Sequence, residues 1–356
     1  MLKNYLAIFL LSCAGGWFFS LVHMPLPWTL GPLVTVIVVQ IGFQRPVYWP
    51  AKIRNLAMVF LGYVMGSPFT PQTGQHVLAQ FPAMAVITLL TVALCLGGGY
   101  VTGRYLDMGL ATSMLGSMPG GLTQMAMVCE EVEGSDAAAV TLMQTVRVLT
   151  TVFIVPFLVL HGLADRVDPV SRVAAPFQAG DMSGLLLFAA VIMFLLGLMR
   201  YFRVPNPYLI APIVGTAGLV LSGVHPPAMP AAVVALAQVC VGIRMGMAVE
   251  VSSLANWKKV LAMNFVSVFL VIVAFFGIDY LMARLAGISF VTAFISTAPG
   301  GMAEMGLTAL MVHADLSTVI AFQLFRLMFV LLIAIPLVRW WLCRSPRNGP
   351  CCRSEE

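Results

Sequence analysis

Charged residues are scarce in this chain. Only 9% of its 356 residues are Asp, Glu, Lys or Arg, whereas soluble domains carry about 25%. With 60% hydrophobic residues and a mean hydropathy of +0.96, the chain has too few polar side chains to cover a water-facing surface. An ordinary soluble domain is therefore excluded. Apolar runs such as 83–100 and 185–198 approach the roughly 20 residues of a membrane-spanning helix, so we expect lipid to be the solvent.

The sequence also lacks the patterns of catalytic and cofactor sites. It has no Walker loop and no Rossmann fingerprint, and its five histidines never take the H-x-x-x-H spacing of a metal site. The seven cysteines include no C-x-x-C pair and lie mostly in apolar runs, which predicts neither a disulfide framework nor a structural metal. We expect a protein that is not an enzyme and that needs no cofactor or metal.

The basic residues do not predict nucleic-acid binding. The formal charge is +5, but Lys and Arg are spread over the ends of apolar segments, and no loop is long enough for a DNA-binding domain. We expect the basic tail at 343–356 to be a cytoplasmic anchor that is not lipidated. Leu10 to Cys13 loosely resembles a lipoprotein signal, but this segment matches 185–200 later in the chain, so we expect it to stay in the fold.

The apolar segments lack the alternation of membrane β-strands, so they predict helices. The fold class that follows is an all-α, polytopic membrane protein with about 10–12 transmembrane segments. Six segments are expected in each half of the chain. They cover roughly 5–22, 26–43, 55–69, 78–103, 109–129 and 137–162, then 183–200, 207–222, 232–249, 260–282, 288–311 and 317–341.

The two halves contain the same ordered features, which indicates an internal duplication. Several of them match at one constant offset in the sequence. The matching pairs are Pro27 with Pro207, Pro32 with Pro212, Gly62 with Gly242, Gly66 with Gly246, and the Pro-Gly-Gly sequences at 119–121 and 299–301.

The duplication predicts four parts: a first membrane repeat at 1–164, a linker at 165–181, a second repeat at 182–342 and the tail at 343–356. Whether the repeats are parallel or inverted is open. Counting Lys and Arg on the cytoplasmic side favours parallel repeats, but the second repeat is inverted if one segment of each half, the short third or the broken fifth, does not cross. Inversion would also repair the charge exceptions at Arg200, Arg203, Lys258 and Lys259.

Each Pro-Gly-Gly sequence interrupts an apolar segment and is followed by a polar residue. Proline removes a backbone donor and two glycines loosen the next turn, so we expect both helices to break there. Broken helices at matching places in two repeats indicate the binding site of a transporter. The alternative is a packing kink that no ligand contacts. The candidate residues here are Pro119, Gly120, Gly121, Gln124, Pro299, Gly300, Gly301 and Glu304.

A second repeated pattern is Gln-x-x-Arg in the last segment of each half, at Gln144 and Arg147, then at Gln323 and Arg326. The spacing of three puts both side chains on one helix face. An arginine in hydrocarbon costs at least about 2.5–3.5 kcal/mol, so each needs a partner or a cavity. Two roles are open: donation to the carbonyls that end at the Pro-Gly-Gly break, or direct binding of a ligand.

Arg244 has no counterpart, because Val64 occupies the matching position, so it either distinguishes the halves or pairs with Glu250 or Glu304. Among the ionisable groups considered, three arginines against Glu304 leave a positive surplus. Together with the N-termini of two half-helices, this predicts a site for an anion. Glu304 is alternatively a proton-coupling group.

These motifs resemble the AbrB family of bacterial integral membrane proteins, also called the AbrB duplication family. The resemblance rests on the paired Pro-Gly-Gly sequences, the two Gln-x-x-Arg helices and Gly242-Ile243-Arg244-Met245-Gly246, and it spans nearly the whole chain. It implies a multi-pass protein of the bacterial inner membrane. Family members are labelled regulators of gene expression, and elsewhere ammonia monooxygenases. The second label does not fit the missing metal ligands, and the first cannot mean direct DNA binding here.

Two functions follow from the sequence. The first is secondary transport of a small, anionic solute through a site between the repeats. The alternative is a membrane-embedded sensor that binds a ligand and regulates gene expression indirectly. A sensor needs a docking surface for its partner, and the linker and the short tail are the only candidates, so transport is favoured. The expected partners are the lipid bilayer and a small-molecule ligand, and the sequence does not predict the oligomeric state.

Overall fold

The computed structural model describes residues 2–44, 47–70, 79–106, 108–120, 125, 128–129, 132, 134–163, 182–249 and 257–344. Every regular element within these ranges is a helix. The predicted all-α fold class is therefore confirmed. The linker at 165–181 and most of the tail lie outside the described residues.

Six α-helices are described in the first half of the chain, and π turns extend α2 and α6 at Val38–Gly42 and Val159–Leu163. These helices are α1 (Leu2–Leu21), α2 (Pro27–Ile37), α3 (Ala51–Gly66), α4 (Phe81–Tyr105), α5 (Leu110–Ser117) and α6 (Ala137–Leu158).

The second half contributes further helices, and a π turn at Val330–Ala334 joins the last two. They are α7 (Met182–Tyr201), α8 (Pro207–Leu221), α9 (Ala231–Met247), α10 (Trp257–Ala286), α11 (Phe290–Thr297), α12 (Met302–Met311), α13 (Leu316–Phe329) and α14 (Ile335–Arg344).

Five helical stretches are long and apolar enough to cross a membrane, at Phe81–Tyr105, Ala137–Leu163, Gly184–Tyr201, Lys258–Arg284 and Leu316–Trp341. Large apolar side chains on their surfaces are exposed, for example Phe194 at 70% and Leu270 at 60%. Patches of this kind are costly in water and favourable in lipid. Several shorter apolar helices are also present, and the expected total of 10–12 crossings stays a prediction.

Helix α3 is shorter than a straight crossing requires. It runs from Ala51 to Gly66, whereas the sequence predicted an apolar segment at 55–69. Its 16 residues span about 24 Å at 1.5 Å per residue, less than the roughly 30 Å of a hydrocarbon core. The helix begins four residues before the predicted segment, and these residues at 51–54 include Lys52 and Arg54. A prediction from hydropathy leaves out such charged residues, although Lys and Arg are good helix formers.

The chain forms two compact units, and each takes segments from both halves of the sequence. The first unit contains 1–79, 156–248 and 302–320, and the second contains 80–155, 249–301 and 321–356. The compact units are thus a different division from the predicted repeats. Helices α6 and α13 each contribute to both units.

In the first unit, helices from the two halves pack crosswise on each other, α3 against α8 and α9 against α2. A Cβ atom added to Gly62 would lie 2.7 Å from the Leu209 carbonyl oxygen and 3.0 Å from Pro212. A Cβ on Gly242 would meet the carbonyl of Thr29 and lie 3.2 Å from Pro32. The matching glycines and prolines of the sequence therefore meet across the halves, where only a glycine lets the backbones approach so closely.

The backbone also matches between the halves. Leu26 (φ 46°) and Asn206 (φ 49°) are left-handed at the start of α2 and α8, and His23 and Arg203 have φ of 55° and 53°. Residues other than glycine seldom adopt this conformation. These reciprocal features are what a duplication predicts.

The second unit is built on the long helices α4 and α10, which pack on each other and on the short helices α5 and α11. One apolar cluster contains Leu115, Met118, Val140 and Val330. Another joins Cys95, Val271 and Phe275. This packing fixes the ends of α5 and α11, where the Pro-Gly-Gly sequences follow.

Candidate functional site

Both Pro-Gly-Gly sequences end a helix in the same way. Helix α5 ends at Ser117 and α11 at Thr297, and the next residues, Met118 and Ala298, have extended backbone with ψ of 134° and 127°. The residue before a proline is driven to this conformation by a clash with the proline ring. The N–H of the first glycine then turns back 2.8 Å to the Met118 or the Ala298 carbonyl. The predicted breaks are confirmed at both places.

The chain resumes as helix α12 after the second break, beginning at Met302. After the first break, most residues between 121 and 133 lie outside the described part, including Gly121 and Gln124. Glu304 lies in the first turn of α12. A carboxylate there already complements the positive end of the helix dipole, so this N-terminus is a weaker attraction for an anion than the sequence predicted.

At the first break, Gln144 and Arg147 donate hydrogen bonds to carbonyl oxygens at the C-terminal end of α5. Gln144 Nε2 donates to the carbonyls of Leu115 at 2.9 Å and Met118 at 2.8 Å. Arg147 Nη1 donates to the same Met118 carbonyl. Both side chains are buried, at 0% and 5% exposure.

At the second break, Gln323 and Arg326 form the equivalent contacts. Gln323 Nε2 reaches the Ile295, Ser296 and Ala298 carbonyls at 3.1, 3.4 and 3.3 Å. Arg326 donates to Thr297 and Ala298 through Nη1, at 3.1 and 2.6 Å, and to Gly300 through Nη2 at 3.2 Å. Its Nη2 also donates to Gln323 Oε1.

These contacts show one of the two roles that the sequence left open for the Gln-x-x-Arg pattern. A helix that ends inside an apolar region leaves carbonyl groups without partners, and each is costly if unpaired. A guanidinium is a strong donor and a cation, so it also complements the negative end of the helix dipole. The glutamines and arginines therefore hold the broken helices in place. Ligand binding by the same residues stays a prediction.

A pocket lies next to the first break, within the second unit. Its cavity volume is about 10 Å³, roughly the space of one water molecule, so it would have to widen to admit a small-molecule ligand. Both halves of the chain contribute to its wall. The lining residues are Cys95, Ser117, Arg147, Asn264, Ser267, Val268, Val271 and Pro299.

Two polar groups at this pocket have unused hydrogen-bonding capacity. Arg147 Nε and Ser117 Oγ are buried and have no hydrogen-bond partner among the described residues. Asn264, by contrast, donates from Nδ2 to the Met143 carbonyl at 2.6 Å, so its position is fixed. A ligand with acceptor oxygens would pair with the free donors of Arg147 and Ser117.

The electrostatics of the second unit favour a negative ligand. Arg147 and Arg326 lie within electrostatic range of each other and of Cys95. Both contact carbonyl oxygens, and neither forms an ion pair with a carboxylate in the described part of the chain. Two buried cations that form no ion pair within the described ranges attract an anion, because the surroundings screen charge poorly.

Most of the predicted site residues lie together in the second unit. These are Pro119, Gly120, Gln144, Arg147, Pro299, Gly300, Gly301, Gln323 and Arg326. Arg244 and Glu304 lie in the first unit. Arg244 is half-buried, with Arg54 as its charged neighbour. It forms no ion pair with Glu304 among the described residues, and Glu250, the other proposed partner, lies outside them.

Sequence reasoning missed Asp279. This residue of α10 has no exposed surface, and its Oδ2 accepts a 2.9 Å hydrogen bond from Thr297 Oγ1 at the second break. Asp279 lies close to the end of an apolar segment and shortly before Tyr280 and Arg284, so its sequence context is that of a residue at the membrane–water interface. With Asp279 counted, the positive surplus among the buried ionisable groups falls by one.

Comparisons with known proteins agree with the motifs. The family model described as "Transition state regulatory protein AbrB" matches residues 28–342. "Uncharacterized protein YhjN" of Bacillus subtilis (strain 168) is 27% identical, over 92% of this chain and 91% of its own length. "Putative regulator AbrB" of Escherichia coli (strain K12) is 24% identical, over 93% of this chain and 94% of its own.

Proposed function

The chain belongs to the AbrB family, and on this premise we propose that it is a secondary transporter of a small anionic solute in the bacterial plasma membrane. The observation that carries the proposal is Arg147. This buried guanidinium lines the pocket at the first break, has an unpartnered Nε and no carboxylate partner among the described residues.

The chemistry of the pocket lining supports a small, oxygen-rich solute. Ser117, Asn264 and Ser267 supply polar groups on one part of the wall, whereas Val268 and Val271 supply an apolar part. A small carboxylate combines these features, because its oxygens suit Arg147 and its carbon chain suits the valines.

The two broken helices support transport rather than a permanent binding site. Both end within one compact unit that takes segments from both halves, and both ends are held by side chains instead of continuous helix. Secondary transporters use discontinuous helices in related repeats to form sites that open to each side in turn. The paired breaks are therefore what this function requires.

A flux assay with matched arginine variants tests the proposal. Purified protein is reconstituted in vesicles of phosphatidylethanolamine and phosphatidylglycerol, and uptake of acetate, lactate, succinate and benzoate is measured. We expect Arg147→Ala to abolish uptake of the transported anion and Arg147→Lys to restore part of it, since Lys keeps the charge but loses the planar donor set. The control is Arg200→Ala, which removes an exposed arginine of α7.

A membrane-embedded sensor is the second candidate, because the family description and the name of the Escherichia coli relative both refer to regulation. A sensor would bind its ligand in the same pocket without moving it. Anions that raise the melting temperature of the protein, combined with no flux for any of them in vesicles, would favour the sensor. Flux that Arg147→Ala leaves unchanged would contradict the proposed site.

A further inference from the structure

Asp279 is a buried carboxyl group that the proposed anion site does not use. It has 0% exposed surface, and its Oδ1 has no hydrogen-bond partner among the described residues. Its other oxygen accepts from Thr297 Oγ1 at 2.9 Å. Leaving a carboxylate oxygen unpaired in such a place is costly unless a proton or another cation compensates it.

The surroundings of Asp279 suit a proton rather than a metal ion. Thr297 already donates its hydroxyl to Asp279, and its carbonyl accepts from Arg326 Nη1. Phe276, one turn before Asp279 on α10, packs on Phe294 with ring centroids 5.2 Å apart. A hard cation needs about six oxygen ligands, and the described residues hold no cluster of three metal-ligating His, Cys, Asp or Glu side chains. A proton needs no such set of ligands, because it forms a covalent bond to one carboxylate oxygen.

Asp279 is connected to the arginines through the second break. Its partner Thr297 is the last residue of α11, and the Thr297 carbonyl is held by Arg326. From α4, the titratable group that faces this part of α10 is Cys95, which packs with Phe275 and lies within electrostatic range of Arg147 and Arg326. Asp279 and Arg326 therefore bind the same residue of the second break, Thr297, one at its hydroxyl and the other at its carbonyl.

The first half of the chain has no equivalent carboxyl group. Gly99 occupies the position that matches Asp279, and Ser117 matches Thr297. A Cβ on Gly99 would lie 2.8 Å from Ser117 Oγ, so the first break has no room for an acidic side chain there. Ser117 Oγ has no hydrogen-bond partner in the part of the chain that the structure describes, whereas Thr297 is bound to Asp279. The two breaks thus differ in chemistry.

We infer that Asp279 is the proton-binding group that couples transport of the anion to the proton gradient, an inference that rests on the proposed transport function. Protonation of the carboxylate removes one buried negative charge beside Thr297, the residue that Arg326 holds, so the anion binds more tightly. Loss of the proton restores that charge and releases the anion. Binding of the two ligands is reciprocal, and one proton accompanies each monoanion.

An infrared titration tests the proton site without any knowledge of the solute. The carbonyl stretch of protonated carboxylic acids is recorded across pH for the full-length protein in vesicles. We expect a band of a buried carboxyl group, separate from the bands of the exposed ones, in the unmodified protein, its loss in Asp279→Asn, and its retention in the control Glu304→Gln, which removes another buried carboxyl group. Loss of the band in Glu304→Gln with retention in Asp279→Asn would overturn the inference.

Transport in the same vesicles provides the second test. We expect an acidic exterior to drive accumulation of the transported carboxylate, and Asp279→Asn to reduce that accumulation about ten-fold or more while exchange of labelled for unlabelled anion continues. Thr297→Val, which removes the hydroxyl donor but keeps the carboxyl group, should shift the pH dependence. Equal accumulation by Asp279→Asn and the unmodified protein would refute the coupling role. If no carboxylate is transported at all, the transport function fails, and the infrared titration alone decides on the proton site.

Discussion

Arg326 Nη1 donates a 2.6 Å hydrogen bond to the carbonyl oxygen of Ala298, the residue that caps the C-terminus of α11. The bond joins two segments of one half, and the corresponding contact between Arg147 and Met118 joins the same segments in the other half. The arginines are thus structural parts of the helix breaks, whatever else they bind.

Removal of Arg326 should destabilise the second unit. Arg326→Ala leaves the Thr297, Ala298 and Gly300 carbonyls without their charged donor, which we expect to cost about 3 kcal/mol, since a hydrogen bond to a charged group contributes about 1.5–3 kcal/mol. Arg326→Lys should lose less. The measurement is unfolding of the purified protein in detergent, with the exposed-site variant Arg200→Ala as the control. Equal stability of Arg326→Ala and the control would contradict this role.

The crosswise packing of the first unit should be sensitive to a single methyl group. Gly62→Ala would place a Cβ atom 2.7 Å from the Leu209 carbonyl oxygen, and Gly246→Ala would place one 2.7 Å from the Leu33 carbonyl. We expect each to cost about 1–3 kcal/mol, because backbone must move to accept the atom.

The matched control for these glycine variants is Gly218→Ala. Gly218 lies inside α8, and a Cβ there would meet no atom within 4 Å. Since alanine is a better helix former by about 1 kcal/mol, this variant should be neutral or more stable. Similar losses for Gly218→Ala and Gly62→Ala in thermal unfolding would show that close approach is not the cause.

Cys95 should report occupation of the anion pocket. The thiol lines the pocket beside Arg147 and is 5% exposed. In a variant whose other cysteines are replaced by serine, a bound anion should slow alkylation by N-ethylmaleimide about five-fold or more, and Arg147→Ala should remove this protection. Mass spectrometry of the modified peptide measures the rate.

The control for the alkylation experiment is a variant that retains only Cys240. This thiol is partly exposed in α9 of the first unit. We expect no effect of the anion on its modification. Protection of Cys240 and Cys95 to the same extent would indicate a general stabilisation instead of a ligand in the pocket.

The left-handed residue before α8 provides a prediction about backbone strain. Asn206 has φ of 49° at the N-terminus of this helix. Asn206→Val should destabilise the protein by about 1–2 kcal/mol, because the branched side chain clashes with the carbonyl in this conformation, whereas Asn206→Gly should be nearly neutral or stabilising. Thermal unfolding of both variants checks the order, and an Asn206→Val variant at least as stable as Asn206→Gly would contradict it.

The sequence was sufficient to predict the helix breaks, and it gave donation by the arginines to the broken ends as one of two open roles. Proline and glycine act on the backbone locally, so Pro119 and Pro299 could be assigned from the chain alone. The depth of Arg147 and Arg326 within apolar segments required polar partners, and the nearest orphan carbonyls were those at the breaks. Such arguments use only local chemistry and the cost of burying a charge.

The remaining features depend on contacts between distant segments, which spacing does not reveal. Asp279 was missed because its partner Thr297 belongs to another helix and its hydropathy pattern is that of a residue at the membrane surface. Arg244 and Glu304 were grouped with the other ionisable residues because charges can be counted from the sequence. Their place in the first unit depends on the fold and cannot be counted in this way. The close approach of Gly62 to the backbone of Leu209 was not predicted either. The matching positions identify equivalent residues of the two halves, but they do not show that helices of one half pack on helices of the other.

The crosswise packing of α2 and α3 on α9 and α8 constrains when these helices can pack during synthesis of the chain. Helix α3 has its packing partner in α8 and α2 has its partner in α9, so α2 and α3 are synthesised well before the helices that pack on them. Until Met247 has been synthesised, the close-approach faces around Gly62 and Pro32 lack their partners. A truncated chain that stops after the first half would keep the packing of α1 on α2 and of α4 on α5, but α2 and α3 would lack the helices that cover their glycine and proline faces.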